Sequence, residues 1–188
     1  MNIHTRHPMN IHAYTERLIL RDAELSDVDD WFEMDSDPEV HRYIDNSPVT
    51  SKDEIEKVIG MVRQQYADVG IGRWSVVDRT TGECVGWAGL KRCAGPVNGH
   101  SDFMDLGYRF KRKHWGKGYA TESARVALQT CLDRFASSLP LHTVYAITDV
   151  RNDASKHVLL KLGFTLQSTF LYDGLDADWF VLPCADRR

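Results

Sequence analysis

At 188 residues the chain is long enough for one domain with a real core, and its 43% apolar and 27% charged residues are ordinary for a globular protein. No window approaches the roughly 18–20 consecutive apolar residues of a membrane helix, and the polar, histidine-bearing residues 1–14 lack the apolar middle of a secretory signal. A formal charge of −4 argues against a broad nucleic-acid surface, which needs a basic face.

Residues 1–13 are expected to be a flexible lead, and residues 14–188 a single domain. The tetrapeptide Met-Asn-Ile-His occurs at both 1–4 and 9–12, so Met1 and Met9 are both candidate starts. The alternation of Leu18 and Leu20 with Arg17 and Arg21 reads as a first strand over 17–22. A helix over 26–34 follows, capped by Ser26 or Asp27. Ser51 and Glu54 have capping-box spacing, and Ile55, Val58, Ile59 and Val62 continue it at helical spacing to about residue 68, with Gly70 beyond the end.

Residues 73–78 and 83–91 are strand-like around a turn at 79–82, with Gly82 where a left-handed residue is wanted. Residues 93–101 read as a loop and 103–110 as a fourth strand. Ala120, Ala124, Leu128, Cys131, Leu132 and Phe135 make one apolar face of a helix over 119–136. A fifth, central strand is expected over 141–150, a helix over 152–162 ended by Gly163, and strands over 164–172 and 178–182 around a turn at Asp173-Gly174. The order implies an α/β, or α+β, layered domain: a mixed sheet with helices on its faces.

The four cysteines, Cys84, Cys93, Cys131 and Cys184, include no C-x-x-C pair, and the histidines show no metal spacing. They read as reduced thiols in a cytoplasmic protein with no metal.

The segment Lys113-His114-Trp115-Gly116-Lys117-Gly118-Tyr119-Ala120 joins a strand to a helix. Its glycines let the backbone approach a ligand, and the helix start presents unpaired N–H groups and a positive dipole end, which suits a pyrophosphate. Lys111, Arg112, Lys113 and Lys117 add local positive charge. A plain tight turn is the competing reading. A nucleotide-binding P-loop fails in spelling because Gly118 follows Gly116-Lys117, and a dinucleotide fingerprint fails at Thr121.

Leu106-Gly107-Tyr108, then His114 to Glu122, then Asn152-Asp153-Ala154-Ser155, then Lys161-Leu162-Gly163-Phe164 resembles the GCN5-related N-acetyltransferase (GNAT) superfamily. It is most similar to the ribosomal-protein N-terminal acetyltransferase (RimJ/RimL-like) branch, over about residues 14–182. The superfamily loop [QR]-x-x-G-x-[GA] finds Gly118 and Ala120 in place, with Trp115 at the first position instead of a polar residue. The resemblance implies a mostly antiparallel sheet whose fourth and fifth strands splay apart at a bulge, with helices on both faces. Acetyl-CoA, as co-substrate, would wedge into the gap. Tyr108, Arg109 and Phe110 would hold its pantetheine through their backbone, and Trp115, Gly116, Lys117, Gly118, Tyr119, Ala120 and Thr121 its pyrophosphate. The implied partner is an amine acceptor, a peptide N-terminus or a small amine, with neither nucleic acid nor membrane. A homodimer is in keeping with the relatives.

Amine attack on a thioester needs a neutral amine and a proton for the leaving thiolate. The resemblance offers Ser155 as that proton donor and Asn152 as a pantetheine contact, beside its ordinary role as a helix cap. Asp105 is the candidate base, or simply half of an ion pair. Gln167 stands where relatives often carry Glu and cannot act as a base. Tyr172 is a rival acid. Trp31, Trp87 and Tyr43 are candidate linings of an acceptor pocket, and Asp173, Asp176 and Asp178 form an acidic turn that would attract a cationic acceptor. The alternative from another class is a non-catalytic acetyl-CoA binding module.

Overall fold

The structure, a computed structural model, describes residues 10–184 other than 136 and 140. Eight strands form one sheet: β1 (Ile11–Tyr14), β2 (Leu18–Arg21), β3 (Arg73–Asp78), β4 (Cys84–Cys93), β5 (Phe103–Phe110), β6 (Thr143–Asp149), β7 (Thr165–Tyr172) and β8 (Leu175–Pro183), in the order β1-β2-β3-β4-β5-β6-β8-β7. Every neighbouring pair is antiparallel except β5 and β6. The helices are α1 (Val28–Asp35), α2 (Pro38–His41), α3 (Lys52–Val69), α4 (Tyr119–Phe135) and α5 (Asp153–Leu162).

Two apolar clusters hold the layers together. Leu20, Trp74, Val76, Leu90 and Leu106 pack under Ala124, Leu128 and Leu159 of α4 and α5. On the other face Trp31, Met34, Ile55 and Ile59 of α1 and α3 cover Val77, Cys84 and Trp87. Each fully buried Leu, Ile or Val contributes about 1.5–3 kcal/mol before chain entropy is charged against it.

The local chemistry explains most boundaries. Ser51 and Glu54 form the expected capping box, and Gly70, at φ +78°, ends α3. Asn152 caps α5 through Oδ1, and Gly163, at φ +92°, closes it. Asp173 and Gly174, both at positive φ, make the tight turn between β7 and β8.

Four expectations need correction. Residues 11–14, placed in the lead, form β1, which pairs with β2 because Ile19, Leu20 and Arg21 offer a free edge; the rest of the lead, residues 1–9, lies outside the described residues. The first helix begins as a 3-10 turn over Leu25–Asp27, capped by Glu24 and Asp27 rather than by Ser26. The last strand starts at Leu175, three residues early, since Ala177 and Asp178 already pair with Phe170 and Thr169. The fourth concerns the splay. It is present, but β5 keeps an unbroken register against β4 from Gly86↔Phe110 to Cys93↔Phe103, without a bulge. The gap opens because β6 follows β8 after touching β5 only at Met104↔Val144 and Asp105↔Tyr145.

Candidate active site

From Leu106 onward the second edge of β5 has no strand beside it. Lys111 donates its N–H to the Val85 carbonyl, so by strand alternation the backbone groups of Leu106, Tyr108 and Phe110 face the gap. That edge can accept an extended chain of amides.

At the far end of the gap, Gly116 and Gly118 adopt φ +73° and +81°, the left-handed conformation that L residues resist. Among the described residues, the backbone N–H groups of Gly116, Lys117, Gly118, Tyr119, Ala120 and Thr121 donate to no protein acceptor. The loop is braced by its neighbours, one of them on the gap-facing carbonyl of Phe110. Trp115 donates its indole N–H to the Phe110 carbonyl over 2.8 Å. Arg17 donates to the Lys117 carbonyl and pairs with Glu122. The Tyr119 hydroxyl donates to Asp78, so only the backbone of Tyr119 is available to a ligand. The donor-rich cradle fits a pyrophosphate, and Trp115 serves it as a clamp where a polar side chain was missed.

Lys111 and Lys113 do not supply the charge expected of them. Lys111 is 2% exposed, with Nζ 2.6, 2.7 and 2.9 Å from Asp30, Glu33 and Glu83. Lys113 contacts Glu33 and Glu83 as well. Burial would raise the Glu83 carboxyl, but hydrogen bonds from Lys111 and Lys113 outweigh it and bring it down to about 2. The three carboxylates have the spacing of a cation site, and an ammonium sits among them.

Across the gap lies the start of α5. The Tyr108 hydroxyl lies 3.0 Å from Ser155 Oγ and 3.0 Å from the Ser155 carbonyl. Burial pushes the Tyr108 phenol above its ordinary range, so it stays protonated. Asn152 Oδ1 accepts the Ser155 N–H at 3.1 Å. Its amide nitrogen has no acceptor among the described residues, which leaves a donor for pantetheine.

On the α1 side of β5, Asp105 is 8% exposed and lies 3.3 Å from Arg73 Nη2. Burial raises its carboxyl above the ordinary value, with Arg73 opposing. Arg109 extends over this same face to Asp35 at 2.8 Å, so it contributes backbone to the gap and guanidinium to the opposite cleft. Of the aromatic linings, Trp87 lies between Arg73 and Arg109, and Tyr43 between Arg42 and Arg151. Trp31 is buried in the α1–α3 cluster and lines nothing. Burial, with the charges of Asp173 and Asp105, raises the Tyr172 phenol above its ordinary value. The expected acidic turn is reduced to Asp173 and Asp176, because Asp178 is buried against Lys156 and Thr169. No helix among the described residues is long and apolar enough to cross a membrane.

Sequence reasoning missed the side chains of Arg73 and Tyr108. The signal for Arg73 was a pair of glycines, Gly89 and Gly107, inside adjacent strands, where a missing side chain marks a close approach.

Residues 17–165 match the family model described as the acetyltransferase (GNAT) domain. An uncharacterized N-acetyltransferase p20 of Bacillus licheniformis is 32% identical over 151 residues, covering 80% of each chain. The structure is similar to that of RimL, a ribosomal L7/L12 alpha-N-protein acetyltransferase solved with coenzyme A, at TM-score 0.76 and 20% identity over 94% of this chain and 100% of that one. It is also similar to spermidine N-acetyltransferase of Vibrio cholerae solved with CoA and spermine, at TM-score 0.70 and 18% identity over 90% and 96%. With a family match over most of its length, the chain belongs to the GNAT acetyltransferase family.

Proposed function

We propose that this protein moves the acetyl group of acetyl-CoA to a primary amine, a peptide N-terminus or a small-molecule amine, by direct attack within a ternary complex. The observation that carries the reading is the run of unused N–H donors at 116–121 facing the same gap as the Tyr108–Ser155 pair. In that pose the pyrophosphate accepts from the loop and the start of α4. The pantetheine amides pair with the edge of β5, and Asn152 donates to one of them.

The thioester then lies between Ser155 on one side and Asp105 on the other. A neutral amine forms the new C–N bond as the C–S bond breaks. The amine's surplus proton passes through water to Asp105. Ser155 gives its proton to the thiolate and regains one from water, while the Tyr108 hydroxyl, which stays protonated, holds the serine oxygen in place. Holding both substrates together supplies much of the rate. Cys84, Cys93 and Cys131 are free thiols, which suits a cytoplasmic location.

The test is thiol release from acetyl-CoA by purified protein with a panel of peptides, polyamines and other amines. Release that depends on an amine, with the acetylated amine found by mass, supports the reading. Thermal stabilisation by acetyl-CoA without release from any amine would favour a binding module instead.

A further inference from the structure

One arginine near the candidate site has no part in acetyl-CoA binding. Arg73 opens β3 and pairs with Gly89, which in turn pairs with Gly107. Cross-strand partners share a face, so these two glycines leave a bare strip across the sheet beside Arg73. The arginine lies along it. A Cβ on Gly107 would come within 3.0 Å of Arg73 Nη2, 3.2 Å of its Nε and 3.2 Å of the Trp87 ring. Trp87 supports the guanidinium, with Cζ 4.4 Å from the ring centroid.

The strip carries a cation from the third strand to the lip of the gap. There Arg73 has donors to offer. Its contact with Asp105, at 3.3 Å, is long for a charge-assisted bond. Its Nε is buried with no acceptor. Even so, 26% of the side chain is exposed. A stacked guanidinium held by one long contact, with part of its side chain open to solvent, can take a carbonyl or carboxylate oxygen. Asp105 beside it is the matching site for an amine. The second guanidinium on this face, Arg109, is already matched by Asp35. The cleft floor thus has no surplus negative charge for a polycation.

We propose that Arg73 reads the acceptor: it takes the oxygen of an α-aminocarbonyl compound, an amino acid or a peptide N-terminus, while the neighbouring amine faces Asp105 and the thioester. This rests on the acetyltransferase reading above and narrows its acceptor. Plain alkylamines and polyamines leave the Arg73 donors unpaired and react poorly.

The test compares alaninamide with sec-butylamine, which has the same branched carbon beside the amine but no carbonyl. Rates are expressed per neutral amine, because the two differ in basicity. The wild-type protein is expected to favour alaninamide by about tenfold or more in kcat/KM, the effect of one charged hydrogen bond. In Arg73→Gln the preference collapses toward one through a higher KM for alaninamide, while thermal stabilisation by acetyl-CoA persists and reports a folded protein. Arg73→Lys, a point charge without the fork, recovers only part of the preference. A wild-type ratio near one overturns the proposal whether or not any variant folds, as does an Arg73→Gln protein with the wild-type ratio. Equal release from both amines would leave the acetyltransferase reading intact; no release from any amine would overturn both.

Discussion

In the proposed reaction Ser155 and Asp105 divide the proton work between opposite sides of the thioester, and each role can be tested alone. Ser155→Ala should lower kcat by about 10²-fold, within the range for a positioned acid, with little change in the stabilisation given by acetyl-CoA. Steady-state rates and thermal shift on the same preparation check both. Asp105 must be ionised to take a proton, and burial raises its carboxyl above the ordinary 3.8. Activity should therefore fall as pH drops through a value above 3.8. Below that point two groups, the amine and Asp105, must both lose protons, so log kcat/KM should climb with a slope near two. In Asp105→Asn, only the amine remains, and the slope should stay near one across that range. The sequence made Ser155, Asn152 and Asp105 visible, because each sits in or beside a short recognisable motif. The Tyr108–Ser155 bond was not visible, since it joins residues on separate elements across a gap that no local pattern encodes.

At the level of elements, the loop before α4 works because two glycines bend it and its neighbours hold it still. Gly118→Ala keeps the charge pattern but forces a Cβ into φ +81°. It should cost about 1–2 kcal/mol of local strain and weaken acetyl-CoA binding by roughly tenfold, as titration calorimetry would measure. Helices were the most legible elements, because capping boxes, apolar spacing and terminal glycines all agree at α3 and α5. Strand ends were less so. Asp176 looks like a turn residue in sequence, yet it lies in β8, paired with Leu171. β1 escaped notice because it has only four residues, three of them paired, and its burial is partial.

Over the whole molecule, Lys111 ties three separate pieces together: α1 through Asp30 and Glu33, the start of β4 through Glu83, and the segment leading to the cradle. Removing its charge leaves three carboxylates within 4.8 Å of one another. Lys111→Met should therefore lose about 3 kcal/mol of unfolding free energy in urea. The acid response follows from Glu83, whose folded value of about 2 lies below its ordinary 4.5. The stabilisation is present above pH 4.5 and fades as pH falls toward 2. Lys111→Met should lose part of that dependence, with Lys113 keeping the rest, so the gap between the two proteins narrows at low pH. The sequence marked Lys111 as a ligand cation; only the tertiary arrangement reveals that its charge is already matched.

In the proposed complex acetyl-CoA lies between β5 and β6 with its phosphates on the loop before α4. Backbone amide exchange, followed with and without coenzyme A, tests it most directly. Bound coenzyme A should slow exchange at Gly116 to Thr121 and along Leu106 to Phe110, with β1 to β3 little changed. Binding that protects some other region and leaves those two segments exchanging as before would contradict it.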